Sequence, residues 1–499
     1  MKRLTLISIA LAAPVLSSCT GSLGVQPGDA VVPPQMGDPM IEVVVLAADD
    51  LGVLEATVVA NGATVHASAG ESPTVTWKKV PIELEAAAEG FQPFTFTVTD
   101  YPDAGRIEFR LEPVVLQGRV TSDAGRPLPG VSVSLGGITD ETDNEGRYSI
   151  ERATAGTIML DRPAWSHGEY AWDGVLDRYD MSMVPEFIRA IRVAAADLLD
   201  EDRWEALLSI ADATGVNGLV VDLKAEDGTV VFPTEVATAN SIGAVSSYFE
   251  LADVIGAAEE HDLYLIGRVG VFQDDFFAAA EPDHAVLDED GSLWRSRNGF
   301  AWLDPSDPAS FEYAISIAKE ACDKGFDEIQ FDYVSYPFGG DVSSAVFDGA
   351  YNQEVRVASI NAFLTRAYSV VHGLGGCTVS STLLGIVLES GSDEGVGQRP
   401  ESMSRIVDVL APTLYSTNYG AGWRNFENPD DHAVEIVDSA LRGGRGRLDG
   451  HGYLRPWLQT WTISKADQRA VQMIVEESDT GWMLWSNSAN YSAEALPSR

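Results

Sequence analysis

The chain has 499 residues, 45% of them hydrophobic, which is enough for two or three globular domains rather than one. Its 75 acidic residues against 33 basic ones leave a formal net charge of −42. That balance excludes nucleic acid and an anionic membrane surface as partners, because both are recognised through basic patches.

The chain opens with Lys2 and Arg3, followed by an apolar run at 4–16 that is too short to cross a bilayer. Leu16-Ser17-Ser18-Cys19 then resembles the lipobox of bacterial lipoproteins. The resemblance implies a signal peptide over 1–19 and a secreted chain lipid-anchored to the bacterial cell envelope through Cys19. With Thr20 rather than Asp behind it, the outer membrane is the implied destination in a Gram-negative host. Contact with a membrane is expected through that anchor only. Residues 20–39 are rich in Gly and Pro without periodicity and read as a linker.

From 40 to 113 short alternating runs (IEVVVLAA, EATVVA, FTFTV, RIEFRLEP) are separated by Gly, Asp and Pro turns, predicting a small β-sandwich module. A second β module is expected over 114–162. Its order of VLQGRV, a Pro-Gly turn, VSVSL and TDNEGRYSI resembles the carboxypeptidase regulatory-like β-sandwich of secreted bacterial proteins. Its Asp and Asn residues serve turns.

Over 165–495 the rhythm changes to alternating strands and helices. Strands are predicted at 187–194, 217–223, 263–271, 328–334, 377–384, 406–415, 454–461 and 481–487. Helices are predicted at 201–213, 241–261, 308–324, 350–373, 398–405, 429–442 and 464–479. Eight strands with crossovers match a (β/α)8 TIM barrel, typically about 250 residues plus insertions. A doubly wound open sheet is the alternative, but no GxGxxG or GxxxxGK[ST] follows any strand. The fold class is therefore multidomain: a C-terminal TIM barrel preceded by small all-β sandwich modules. Cys322 and Cys377 are expected as small core residues, with pairing in an oxidising compartment as the alternative. The seven His residues are scattered at no ligand spacing, so neither a metal nor a cofactor is expected. The sequence carries no signal for oligomeric state.

In such a barrel the working side chains sit at the C-terminal strand tips. Those tips carry Asp222 and Lys224, Arg268, Asp332, Tyr415 and Asn418, Gln459 and Trp461, and Trp485 and Asn487. Acids and amides beside Trp and Tyr faces suit a sugar, whose C–H faces stack on rings and whose hydroxyls need partners. About 35 residues separate the third strand from its helix, and an insertion of that length reads as a binding element or lid. It contains Trp302 and Asp304, and its Asp290-Gly291 pair predicts a small hairpin.

The segments GLVVDLK (218–224), IGRVGVFQD (266–274), WLDP (302–305), QFDY (330–333), GVGQ (395–398), RPWLQ (455–459) and GWMLW (481–485) occur in order across about 165–491. Together they resemble the putative glycoside hydrolase domain of bacterial secreted proteins, long catalogued as a domain of unknown function. The resemblance implies a TIM barrel acting on a carbohydrate polymer, with Asp332 in the place of the nucleophile of a retaining mechanism. It also sets off three departures: Ser335 where Arg is usual, Ser381-Thr382 where Asp is usual, and Asn418 where His is usual. A retaining enzyme needs a second carboxyl group ~5–5.5 Å from the first. Asp222, or Asp393 and Glu394 in the loop after the fifth strand, are the candidates, with Glu389 further back in that loop. Lys224 and Arg268 could bind an anionic sugar or pair with Asp222 and Asp332, a pairing that favours the charged form a nucleophile needs. A carbohydrate-binding barrel without turnover is the alternative reading.

Overall fold

A computed structural model describes residues 38–68, 70–77, 81–123, 125–162, 165–375, 377–448, 451–477 and 481–499. Cys19, with the whole 1–19 segment and most of the expected linker, lies outside them. The chain divides at Pro113 and Val114 into two compact units.

In the first unit, Met40–Ala47 lies between Thr74–Thr76 and Arg106–Leu111 in a three-stranded sheet. Ala63–Ala67, Ala56–Ala60, Ile82–Ala87 and Phe94–Val98 form a four-stranded one. Alternate residues of both (Ile41, Val43, Val45, Val58, Leu84 and Leu111) share one buried cluster, as period-two patterning requires.

The second unit begins with two more small sheets. One joins Arg147–Glu151, Val115–Ser122 and Met181–Met183, and the other joins Ile138–Glu141, Ser132–Leu135, Gly156–Asp161 and Gly168–Trp172. These strands run past residue 162 to Met183.

The rest of the unit is a closed barrel of eight parallel strands: β1 (Ile188–Val193), β2 (Gly218–Lys224), β3 (Tyr264–Gly270), β4 (Glu328–Asp332), β5 (Thr378–Leu384), β6 (Val409–Leu414), β7 (Trp457–Gln459) and β8 (Gly481–Trp485). Neighbours pair in sequence order and β8 returns to β1, Ile188 facing Gly481 and Ile191 facing Leu484. Closure needs glycine at 481. Its φ is +80°, and a Cβ there would stand 1.9 Å from the Ile188 carbonyl oxygen.

Outside lie α1 (Glu201–Ala213), α2 (Leu251–Glu260), α3 (Glu312–Lys324), α4 (Gln353–Gly375), the single turn α5 (Pro400–Met403), α6 (Ala433–Leu448) and α7 (Lys465–Glu476). α2 starts ten residues later than expected because the backbone at 244–248 pairs with Val230 and Val231, Ser246 and Tyr248 donating to their carbonyls. Helix α3 illustrates the packing: Tyr313, Ile317 and Ala321 with Ala314, Ala318 and Cys322 recur every three or four residues and are buried. Gly325 then ends it at positive φ.

Cys322 and Cys377 are not separate core residues. A disulfide joins them, tying the last turn of α3 to the start of β5 across a Cα separation of 6.0 Å.

The interior is apolar in its middle, with Ile188, Ala190, Val220, Ile266, Ala411, Trp457 and Met483. Below them a buried pair, Arg455 Nη1 to Glu328 Oε2 at 2.6 Å, spans the N-terminal end. Outside that end the second β module docks. Arg162 Nη2 lies 2.8 Å from Asp408 Oδ1, and the Trp165 and Tyr453 rings meet edge to face at 5.0 Å. The C-terminal ends of the strands lie on the opposite side.

Candidate active site

Strand alternation sends every second side chain inward. Arg192, Asp222, Arg268 and Asp332 are the inward residues nearest the C-terminal tips of β1 to β4. They form one network centred on Arg268, which is 1% exposed. Arg268 Nε donates to Asp332 Oδ2 at 2.7 Å, and Nη2 lies 2.6 Å from the same oxygen. Nη1 donates to Asp222 Oδ1 at 2.9 Å, and Nη2 also reaches Glu226 Oε1 at 3.2 Å. Arg192 holds the other side of Asp222, through Nε at 3.3 Å and a short contact from Nη2.

A guanidinium this deep is tolerable only when paired. Burial opposes its charge, but Asp332, Glu226 and Asp222 outweigh it and hold Arg268 firmly protonated. Burial also pushes the Glu226 carboxyl up, and the Arg268 and Arg192 charges outweigh that, leaving it below the ordinary range. Three carboxyl groups face two guanidiniums, a formal excess of one negative charge.

Asp332 is fixed on both oxygens. Its Oδ1 accepts from the Thr382 hydroxyl at 2.6 Å and from the Tyr333 backbone N–H at 2.7 Å. Tyr333 takes φ +54°, a costly backbone for a bulky side chain that the surrounding contacts must enforce. Asp332 opens onto a cavity of about 190 Å³ lined by Arg268, Tyr333, Ser335, Phe338, Thr382, Leu384, Gln398, Thr413, Tyr415, Asn418 and Trp485. The Trp485 ring carries Arg192 at 3.9 Å and Arg268 at 4.7 Å, and its Nε1 donates to Asn487 Oδ1 at 2.8 Å. Burial, then the nearby Asp332, pushes the Tyr415 hydroxyl well above its usual range, so it stays a neutral donor. Ser335 is 1% exposed, and its Oγ has no hydrogen-bond partner among the described residues. Ser335, Thr382 and Asn418, the three departures from the family pattern, all line this one cavity.

The structure thus brings together Asp222, Arg268, Asp332, Tyr415, Asn418 and Trp485, with Asn487 orienting the last. Other candidates stand elsewhere. Lys224 is fully buried, with Nζ 2.8 Å from Asp274 Oδ2 and donating to the Gly270 carbonyl. The reason is a register shift between Asp222 and Lys224 that sets Lys224 opposite Val269, an outward-facing residue.

Asp393 accepts two hydrogen bonds from Arg356, at 2.7 and 2.9 Å, and others from the Gly395 and Gly397 amides. It anchors its own loop. Glu394 meets Ser390 and Ser392, and Glu389 pairs with Arg424. Asp304 ties Ser306 to the Asp348 amide. Gln459 is engaged by Thr417, Trp461 and Thr462. Trp461 packs behind Tyr415 at 5.1 Å. Trp302 is buried under Tyr333 and Phe338. Its insertion is ordered: Asp288 and Ser292 close a turn over Gly291, and Leu287–Asp288 pairs with Ala345–Val346 from the loop after β4.

Sequence reasoning missed Arg192 and Glu226. Arg192 was findable, since it continues the inward series of Ile188 and Ala190. Glu226 lies beyond the strand, where alternation carries no information.

No curated protein matches the chain. Among solved structures it is similar to a hypothetical protein from Ruminiclostridium thermocellum ATCC 27405, with 32% identity over 38% of this chain and 96% of that one and a TM-score of 0.35. It is similar also to the PgaB (BpsB) glycoside hydrolase domain from Bordetella bronchiseptica, with 14% identity, coverages of 61% and 95%, and a TM-score of 0.45. A third is the alpha-galactosidase TtGalA from Thermus thermophilus, with 14% identity, coverages of 69% and 73%, and a TM-score of 0.40. With TM-scores this low, these likenesses carry no argument about function. The family model described as "Putative glycosyl hydrolase domain" matches residues 190–491, the whole barrel from β1 to the turn beyond β8, and the chain belongs to that family.

Proposed function

We propose that the barrel is a glycoside hydrolase acting on a polysaccharide, retaining in outcome, with Asp332 as nucleophile. The observation that carries this reading is an Asp332 carboxylate fixed by Arg268, Thr382 and the Tyr333 amide at the wall of a cavity bounded by Trp485, Tyr415 and Phe338. At about 190 Å³ the cavity is smaller than the ~300 Å³ at which drug-sized pockets begin, a volume suited to one sugar ring. The unpartnered Ser335 hydroxyl belongs to a residue of the same cavity wall. The excess negative charge suits the oxocarbenium-like transition state of glycoside cleavage.

The chain is proposed to act from the cell envelope, tethered by lipid at Cys19, on the outer membrane in a Gram-negative host. Its β modules then space the barrel from the surface.

The test is reducing-sugar release from a panel of bacterial envelope and extracellular polysaccharides, with the product anomer read by NMR. Asp332→Asn should lower the rate on the order of 10³-fold or more while substrate still binds. Unchanged release in that variant would remove Asp332 from the chemistry.

One observation favours a second reading, a carbohydrate-binding barrel without turnover. Both Asp332 oxygens are already engaged, Oδ1 by two hydrogen bonds and Oδ2 by one hydrogen bond and an ion-pair contact from Arg268, the pattern of an anchor. Heat of binding without product from the wild-type chain would select it.

A further inference from the structure

We infer that Glu226 is the acid/base partner of Asp332. This rests on the hydrolase reading and names its second carboxyl group. The argument starts from one nitrogen. Arg268 Nη2 lies 2.6 Å from Asp332 Oδ2 and 3.2 Å from Glu226 Oε1, so the two oxygens are no more than about 6 Å apart, the sum of those contacts. A retaining pair stands ~5–5.5 Å apart, and an inverting one about 6.5–9.5 Å.

Asp222 meets the same guanidinium but cannot serve. Its side chain is 4% exposed, with both oxygens held by Arg192 and Arg268, which leaves no face for a leaving group. The Asp393 side chain is 2% exposed and closed off by Arg356. Glu226 is 28% exposed, the most open carboxylate of the network.

Its loop is also braced. Gln273 Nε2 donates to the Glu226 carbonyl at 2.7 Å. At Gly228, with φ +92°, a Cβ would stand 2.1 Å from Asp274 Oδ1. The buried Lys224–Asp274 pair fixes that aspartate in turn. An ion pair remote from the cavity thus positions the loop that carries Glu226.

In the first step an Asp332 oxygen bonds to the anomeric carbon. The bond to the leaving oxygen breaks with its electron pair, and that oxygen takes the proton of the Glu226 carboxyl. In the second step Glu226 removes a proton from water, whose oxygen bonds to the anomeric carbon. The ester bond breaks and its pair returns to Asp332. The arginines hold Glu226 below the ordinary range, so the protonated form that donates to the leaving oxygen becomes more populated as the pH falls.

The test uses the full chain and Glu226→Ala. Fluorosugar probes (2-deoxy-2-fluoro glycosyl fluorides of the common hexoses) should label wild-type Asp332. Glu226→Ala should lose about 10²–10⁴-fold on unactivated oligosaccharide. It should stay within about tenfold of wild type in glycosylation by the 2,4-dinitrophenyl glycoside, whose leaving group needs no proton, and azide should restore its turnover as glycosyl azide. If Asp332 is labelled and Glu226→Ala behaves as wild type, the Glu226 assignment falls and the hydrolase reading stands. If nothing is labelled and nothing is cleaved, both fall.

Discussion

Thr382, only 4% exposed, gives Asp332 Oδ1 a hydrogen bond from its hydroxyl. A hydrogen bond to a charged group is worth about 1.5–3 kcal/mol. Thr382→Val, nearly isosteric, should therefore lower stability by that amount, read as a lower denaturant midpoint at constant slope. Thr382→Ser, which keeps the hydroxyl, should lose less than half as much; equal losses would mean that the methyl, not the donor, matters. Legibility at this scale followed strand geometry. Arg268, Asp332, Tyr415 and Trp485 were readable because each continues the inward series of a regular strand, Tyr415 one residue beyond the end of β6. Lys224 was misplaced because one extra residue in β2 reverses its face. Asp393 and Asp304 were indistinguishable by type from catalytic acids, since a sequence does not show which acids already hold an arginine or a backbone amide.

The elements themselves were the most legible level, because apolar periodicity over eight strands and seven helices is redundant. The exceptions have local causes: pairing of 244–248 with Val230 and Val231 delays α2, and α5 is a single turn. The disulfide was only the alternative reading of the two cysteines, since α3 and β5 become neighbours only through the barrel's winding. It closes a stretch of 55 residues, for which loop entropy gives about 4 kcal/mol. Reduction, or Cys322→Ser with Cys377→Ser, should lower the unfolding free energy by that amount, read as a lower denaturant midpoint. An unmoved midpoint would mean that the surrounding core already holds α3 against β5.

For the molecule as a whole, acid is the informative perturbation. Burial works to raise the Glu401 pKa, but hydrogen bonds led by Arg447, with Arg399, outweigh it and bring it to about 2. The folded state then binds fewer protons than the unfolded one. Its contribution is present above about pH 4.5 and lost as the pH falls toward 2. Glu186 and Asp327, pushed up mainly by burial, act in the opposite sense and cost stability above the carboxylate range. Glu401→Gln isolates the first effect: wild type minus variant should be largest near neutrality and vanish near pH 2, as urea unfolding across that range would record. A constant difference would remove the ion cluster as its source.

Barrel closure has a consequence for how the chain reaches this shape. β1 can complete its pairing only with β8, roughly three hundred residues further along, and such long-range contacts make folding slow. While synthesis proceeds, β1 keeps one open edge, and each new strand exposes another until Gly481 arrives against Ile188. The Arg268 network spans only β1 to β4 and its loop, so its charges can assemble well before the ring is sealed. The chain is thus exposed to misassembly for longest at the seam, whose last strand also brings Trp485 to the cavity.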